Sequence, residues 1–370
     1  MEDNKVIISF DTQPKVEVKG NNPKKYRIDF INSDTDTILY STDIENGMWT
    51  TCNKKWNIPW IIKVNGKIAH KFNLKNKEVR IRLDSKSIGD TLAWAPQAIR
   101  FQKYYNCKVT LSTFHNHWFK SNPNYKNIKF SEPGNSGNYY ATYQIGWYKT
   151  DDKWDEGKYH PTKPNTIPLI QTATDILGIP FKEINYGITY KIKDRPIKEK
   201  YICIGPRSTA GLKEWDYNYW QYLAKELNKL GYKVVSISKE GFEKQNIINK
   251  PDMKWEDSIN YLHHADLFIG LGSGLSWMNW TLGKFTIMIN NFNPYGLDFT
   301  QNMIQIQNHS VCNGCWADTK FQFDRGKWDW CPRHQGTLSQ FICHKSITPD
   351  EVLNKVKYVL KHKLNEKNMG

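Results

Sequence analysis

At 370 residues, with 39% hydrophobic and 14% aromatic side chains, the chain is long enough for about two buried cores and too apolar to be disordered. No run approaches the roughly twenty apolar residues that a membrane helix needs. The start, MEDNKVIISFDTQPK, has no basic stretch followed by an apolar one, so the expectation is a cytoplasmic protein without a membrane span. A formal net charge of +15 draws anions of every kind. The lysines are spread along the chain and are densest in KVKYVLKHKLNEKNMG, which reads as a solvated helix face. That pattern describes a generally basic surface rather than a nucleic-acid site. Seven cysteines, four of them clustered late, argue for metal binding over disulfides in such a compartment.

Residues 1–77 alternate apolar and polar side chains over 15–18, 25–30, 37–40 and 60–64, the period of half-buried strands. Asn65-Gly66, directly after the last run, is a hairpin signal. A small antiparallel sandwich or barrel is expected here, and no catalytic motif falls within it.

Residues 78–190 predict a first α/β domain. Strand 79–83, the polar loop 84–90, helix 91–104 and strand 108–112 make a βαβ unit. Its first βα turn lies outside the carboxyl ends of the strands, where open α/β sheets bind ligands. Gly89 permits the tight turn. Asp90 reads either as the helix N-cap or as a carboxylate held at a cleft to act as a general base. His115 and His117 have H-x-H spacing but no third ligand close in sequence, so they read as loop histidines. Tyr139, Tyr140, Tyr143, Trp147, Tyr148, Trp154 and Tyr159 suit either a sugar or peptide platform or a packed core. A helix led by Pro168 ends near Leu177, with Gly178 as its stop.

The charged, proline-containing stretch 191–200 reads as an interdomain linker, and 201–345 as a second α/β domain. Strands are expected at 201–204, 233–238, 266–269 and 285–289, and helices at 217–230, 255–263 and 275–282. Strict alternation implies a doubly wound parallel sheet. Two such sheets facing each other across a cleft give the expected architecture. A last helix over 348–363 lies within a C-terminal segment, 346–370.

Three motifs carry chemistry. The loop from Gly205 to Lys213 follows a strand and precedes a helix. Arg207, Ser208, Thr209 and Lys213 there offer a guanidinium, two hydroxyls and an ammonium beside backbone N–H groups, which is what a diphosphate needs. It lacks the Walker A spacing. Gly272-Ser273-Gly274, followed by Leu275 and Ser276, presents a helix N-terminus to an anion. Trp277 stands where a dinucleotide fingerprint would need its third glycine. Finally, Cys312-x2-Cys315-x15-Cys331-x11-Cys343 supplies four thiolates within a finger-like segment, 311–344. Four sulfurs fill a tetrahedral site, so the metal would be structural, zinc or iron, with no catalytic metal. His334 and His344 lie close enough in sequence to replace a cysteine. Cys52, Cys107 and Cys203 read as buried free thiols.

Together these segments resemble the bacterial autotransporter heptosyltransferases, a branch of the glycosyltransferases related to the lipopolysaccharide heptosyltransferases. The resemblance covers most of the chain. It rests on SIGDTLAWAPQAI, HPTKPNTIPLIQTATDILGIPFKE, GPRSTAGLKEW, DLFIGLGSGLSWMNWTLG, the cysteine segment and the β-rich start. It implies a GT-B-like pair of Rossmann-type domains, acceptor-side over 78–190 and donor-side over 201–345, with an N-terminal β-rich barrel and a four-cysteine metal finger. It implies ADP-heptose as donor, a serine or threonine of an autotransporter passenger protein as acceptor, and ferric iron in the finger. It also implies a large ring-like homo-oligomer, for which a dodecamer is the size the family suggests. Asp90 falls on the family's catalytic aspartate. Arg207, Ser208, Thr209, Lys213 and the turn Gly272, Ser273, Gly274, Leu275 and Ser276 fall on donor-binding positions. One departure stands out, because the lipopolysaccharide relatives commonly carry Asp-Thr-Gly at 272–274. Two rival readings are a lipopolysaccharide-type heptosyltransferase and a nucleic-acid-binding protein with a zinc-ribbon-like module. The second finds no nucleic-acid motif outside the cysteines.

Overall fold

A computed structural model describes residues 4–151, 153–321 and 329–362. Part of the cysteine finger, 322–328, and the end of the C-terminal segment, 363–370, therefore lie outside the described residues. The chain divides into two compact units, Met1–Lys86 with Ala93–Lys182, and Ser87–Leu92 with Glu183–Gly370.

The first unit begins with two antiparallel sheets. One has the order β1–β2–β5, from β1 (Lys5–Ser9), β2 (Lys15–Lys19) and β5 (Trp49–Thr51). The other has the order β4–β3–β6–β7, from β3 (Lys25–Asn32), β4 (Thr37–Glu45), β6 (Trp60–Val64) and β7 (Lys67–Lys71). Val16 and Val18, Ile28 and Phe30, and Trp60 and Ile62 point inward at every second residue, as the sequence alternation requires. Asn65 and Gly66 both adopt positive φ, 50° and 76°, the backbone that a two-residue hairpin turn demands.

A parallel sheet follows in the same unit. Its order is β10–β9–β8–β11, from β8 (Glu78–Leu83), β9 (Lys108–Ser112), β10 (Lys129–Ser131) and β11 (Ala141–Ile145). Helix α1 (Ile88–Tyr105) connects β8 to its parallel neighbour β9. The β-rich start is joined to this sheet through a Phe10–Ala141 bridge and a Thr142 hydroxyl that donates to Asp11 at 2.5 Å. The aromatic stretch packs internally. Trp147 sits between Trp94 and Trp154, and Tyr148 stacks on Tyr159 at 4.2 Å. The short pair β12 (Lys149–Thr150) and β13 (Lys153–Trp154) lies within it. Helix α2 (Leu169–Leu177) ends at Gly178 in the left-handed conformation, φ 62°, the stop expected of glycine.

The second unit is built on one parallel sheet ordered β16–β15–β14–β17–β18–β19. Its strands are β14 (Tyr201–Gly205), β15 (Lys233–Ser236), β16 (Ile248–Asn249), β17 (Leu267–Leu271), β18 (Thr286–Ile289) and β19 (Met303–Ile306). Counted by appearance in this unit, that is the order 3-2-1-4-5-6, the doubly wound arrangement with its switch point between the first and fourth strands. Helices α3 (Tyr217–Lys229), α4 (Trp255–His264), α5 (Gly274–Thr281), α6 (Ile342–Lys345) and α7 (Pro349–His362) complete it. Helix α7 buries Val352, Leu353, Val356 and Val359 in the same core as Trp220, Leu223 and Leu227 of α3. The segment read as a linker has no helix or strand. It is tied to this unit by Lys193–Asp257 at 2.6 Å and by Arg195 donating to the His264 carbonyl. Strands β16 and β19 were not expected from the sequence, since one is two residues long and the other interleaves an amide, Met-Ile-Gln-Ile.

Candidate active site

Strands β14 and β17 flank the switch point, and the two loops singled out in the sequence leave their carboxyl ends. Strand β14 ends at Gly205, where a Cβ would lie 2.9 Å from the Phe268 ring, so only glycine fits against the neighbouring strand. Glu214 organises the loop that follows. Its carboxylate accepts the Ser208 N–H at 3.0 Å and the Tyr217 hydroxyl at 2.8 Å, and it pairs with Arg207 at 3.2 Å. The guanidinium also donates to the Tyr217 hydroxyl. Arg207 Nε is buried and has no partner among the described residues. Thr209 is exposed. Asp216 caps α3 by accepting the N–H groups of Asn218 and Tyr219, as an N-cap aspartate does.

Lys213 reaches from this loop to the second one. Its ammonium donates to the Gly272 carbonyl at 3.0 Å and lies 5.1 Å from the centre of the Phe292 ring. Part of the side chain stays accessible, yet desolvation pulls its pKa down, opposed by the carboxylates of Asp298 and Asp90. Gly272 has no room for a side chain. A Cβ there would fall 2.6 Å from Asn290 Nδ2 and 3.4 Å from Asp298 Oδ2. The space is filled by the Asn290 amide, with the Asp298 carboxylate, from the loop after β18, behind it. Asp298 is 7% exposed and is held by the amides of Asn290 and Asn293 at 2.8 and 2.9 Å. Ser273 precedes α5 without a side-chain cap. Ser276 commits its hydroxyl to the Leu271 carbonyl at 2.6 Å and its N–H to Ser273, so its polar groups serve the turn itself. Leu275 lies partly buried in the same turn.

Helix α1 begins two residues before Asp90, at Ile88. The Thr91 N–H and hydroxyl both return to the Ser87 carbonyl. Asp90 therefore sits inside the first turn and is not the N-cap, and it is 7% exposed. Residues 87–92 group with the second unit. A Cβ on Gly89 would come 3.0 Å from Trp277, and one on Gly274 would come 3.4 Å from Ile88. The structure thus brings Asp90, Lys213 and the 272–274 turn together. It adds Asp298, Asn290, Asn293 and Glu214, which the sequence reading did not single out. Of these only Asn290 carried a signal, a positional one: it directly follows a strand, at the ligand-binding end of a parallel sheet.

The four late cysteines are free thiols. Burial, with a lesser contribution from neighbouring thiols, pushes Cys315 up to about 11 and Cys343 up to about 12. Four cysteine sulfurs are the right donors for zinc or iron, which would hold them as thiolates. Among the described residues, however, no three His, Cys, Asp or Glu side chains are placed to hold an ion. His344 is buried and bonds the Glu214 carbonyl through Nδ1 at 2.6 Å. His115 stacks on Trp118 at 4.5 Å and bonds the Lys86 carbonyl through Nε2. Cys52, Cys107 and Cys203 are buried.

No family model matches the chain. Three relatives do. An autotransporter heptosyltransferase, BAHTCr of Citrobacter rodentium, is 30% identical over 348 residues, covering 89% of this chain and 83% of its own. The autotransporter heptosyltransferase TibC of Escherichia coli O78:H11 is 30% identical, covering 89% of this chain and 84% of its own. The solved structure of TibC, dodecameric, iron-containing and in complex with ADP-D-beta-D-heptose, matches with a TM-score of 0.83 at 27% identity over 97% of this chain and 96% of that one. BimC of Burkholderia thailandensis, an inactive autotransporter heptosyltransferase, is 28% identical, covering 88% of this chain and 79% of its own.

Proposed function

The chain belongs to the autotransporter heptosyltransferase family, and we propose that it is an inverting glycosyltransferase that moves heptose from ADP-heptose to serine or threonine hydroxyls of an autotransporter passenger. It takes the GT-B-like heptosyltransferase fold of its TibC neighbour. The observation that carries the reading is the convergence of Asp90, Lys213 and the Gly272–Gly274 turn at the switch point of a parallel sheet. They converge in a chain that follows ADP-heptose-bound TibC over 97% of its length.

An acceptor hydroxyl is a poor nucleophile at neutral pH. Asp90 removes its proton as the C–O bond to the sugar forms. The departing ADP gains negative charge, which Lys213 and the α5 N-terminus stabilise. The Arg207 guanidinium is a further positive charge for that anion. Ser208 and Thr209 line the diphosphate, and 272–276 form the second wall of the donor site. Direct attack inverts the anomeric carbon. Under this reading 78–190 is the acceptor-side domain, 191–200 the linker and 201–345 the donor-side domain.

TibC is iron-containing, which supports a structural iron here, on Cys312, Cys315, Cys331 and Cys343. Zinc is the alternative that the same thiolates accept. Its task is to brace the finger. TibC is also dodecameric, which supports a ring-like homo-oligomer, read here as cytoplasmic. No helix among the described residues is long and apolar enough to cross a membrane. The relatives are named as heptosyltransferases and not as nucleic-acid-binding proteins.

The test is the intact mass of a candidate passenger coexpressed with this chain. Addition of whole heptose residues supports the assignment. An unmodified passenger, with labelled heptose appearing in lipopolysaccharide instead, supports the lipopolysaccharide-type reading. Incorporation in neither places the chain beside inactive BimC.

A further inference from the structure

The loop from Gly205 to Lys213 is bonded along its far end to the cysteine segment. His344, 5% exposed, donates from Nδ1 to the Glu214 carbonyl at 2.6 Å. A carbonyl only accepts, so the proton lies on Nδ1. The Glu214 carboxylate in turn fixes Ser208, Arg207 and Tyr217. A second tie runs from the Gly211 N–H to Asp329 Oδ1 at 3.2 Å. Just beyond both stretches, the Trp215 indole N–H donates to the Ile347 carbonyl at 2.9 Å. Leu212, Phe292 and Cys315 share one apolar cluster beneath. These contacts bracket Lys213 on both sides.

We propose that His344 is a positioning residue for the diphosphate loop: by holding the Glu214 main chain it sets the Glu214 carboxylate, and through it the Ser208 N–H and the Arg207 guanidinium, in register for an anion. The proposal rests on the reading of 205–213 as the ADP-binding loop. It gives the cysteine segment a task inside the donor site in addition to bracing itself. The predicted signature is a change in donor affinity with little change in the chemical step, because His344 touches neither the acceptor nor the reacting carbon in this scheme.

The experiment compares His344→Asn, whose amide can place an N–H close to that of Nδ1, with His344→Leu, which cannot donate. ADP affinity is measured by titration calorimetry on the full-length protein, KM and kcat with ADP-heptose, and metal content by elemental analysis. His344→Leu is expected to weaken ADP binding about tenfold, because a loop no longer held in register must be ordered as the anion binds. It should raise KM for the donor similarly and leave kcat within about twofold, and His344→Asn should restore affinity. Wild-type ADP affinity in His344→Leu overturns the proposal, as does equal weakening in both variants. Weak binding that follows loss of metal also overturns it, since the effect then belongs to the thiolates. If His344→Leu shows no cooperative melt, Asp329→Ala removes the second tie. It is expected to weaken ADP about threefold, and unchanged affinity there counts against the proposal. Failure of the wild-type protein to bind ADP at all defeats the loop reading itself, which is a separate outcome.

Discussion

Asp90 and Lys213 hold opposite charges around one turn, and their removal should have separable effects. Asp90→Asn keeps the size of the side chain but cannot take a proton. Transfer should fall by about two to four orders of magnitude while ADP affinity, read by calorimetry, stays near wild type. Retained turnover would exclude Asp90 as the base. His160, in the first unit, makes a different prediction. It is 1% exposed, accepts the Tyr148 N–H at 3.4 Å, and burial takes its pKa from 6.5 to about 4 against the pull of Asp155. The folded value is depressed, so its contribution to stability is complete above pH 6.5 and is lost as pH falls toward 4. Urea unfolding should show about 3 kcal/mol less stability across that window, with a flatter profile in His160→Gln. The residues legible in the sequence were those that carry their meaning locally, such as an aspartate after a glycine at a helix start or a lysine in a hydroxyl-rich loop. Asp298 and Glu214 were not legible. Asp298 matters because it holds the Asn290 amide that fills the space beside Gly272, 26 positions earlier, and no spacing rule records that.

The parallel sheet of the second unit explains why two loops 59 residues apart in sequence meet, as Lys213 and Gly272 do. Four of its six strands were readable from apolar runs. The edge strands β16 and β19 owe their pairing to a neighbour rather than to their own pattern. The element most sensitive to change is the turn after β17. Gly272→Ala would drive a methyl to 2.6 Å from the Asn290 amide, which is already engaged by Asp298. Relief means breaking that bond, so a loss of about 1–3 kcal/mol is expected, together with weaker ADP binding. A thermal melt matching wild type would show that the turn relaxes freely.

For the molecule as a whole, Cys312→Ser should lower the metal content by elemental analysis and shift the melt downward, since a structural metal contributes folding free energy. Full metal content would exclude Cys312 from the ligand set, leaving the nearby histidines to be tried. The basic surface is a separate matter. A net charge of +15 spread over exposed lysines attracts any anion loosely, and salt abolishes that attraction. Lys213 is only partly accessible, with a backbone carbonyl and an aromatic face beside it, and mobile ions approach such a group poorly. Raising sodium chloride from about 50 to about 500 mM shrinks the Debye length from roughly 14 to roughly 4 Å. It should strip adventitious polyanions from the surface while changing the dissociation constant for ADP by no more than a few fold. Purification and assay in concentrated brine would then cost the enzyme little of its hold on the nucleotide.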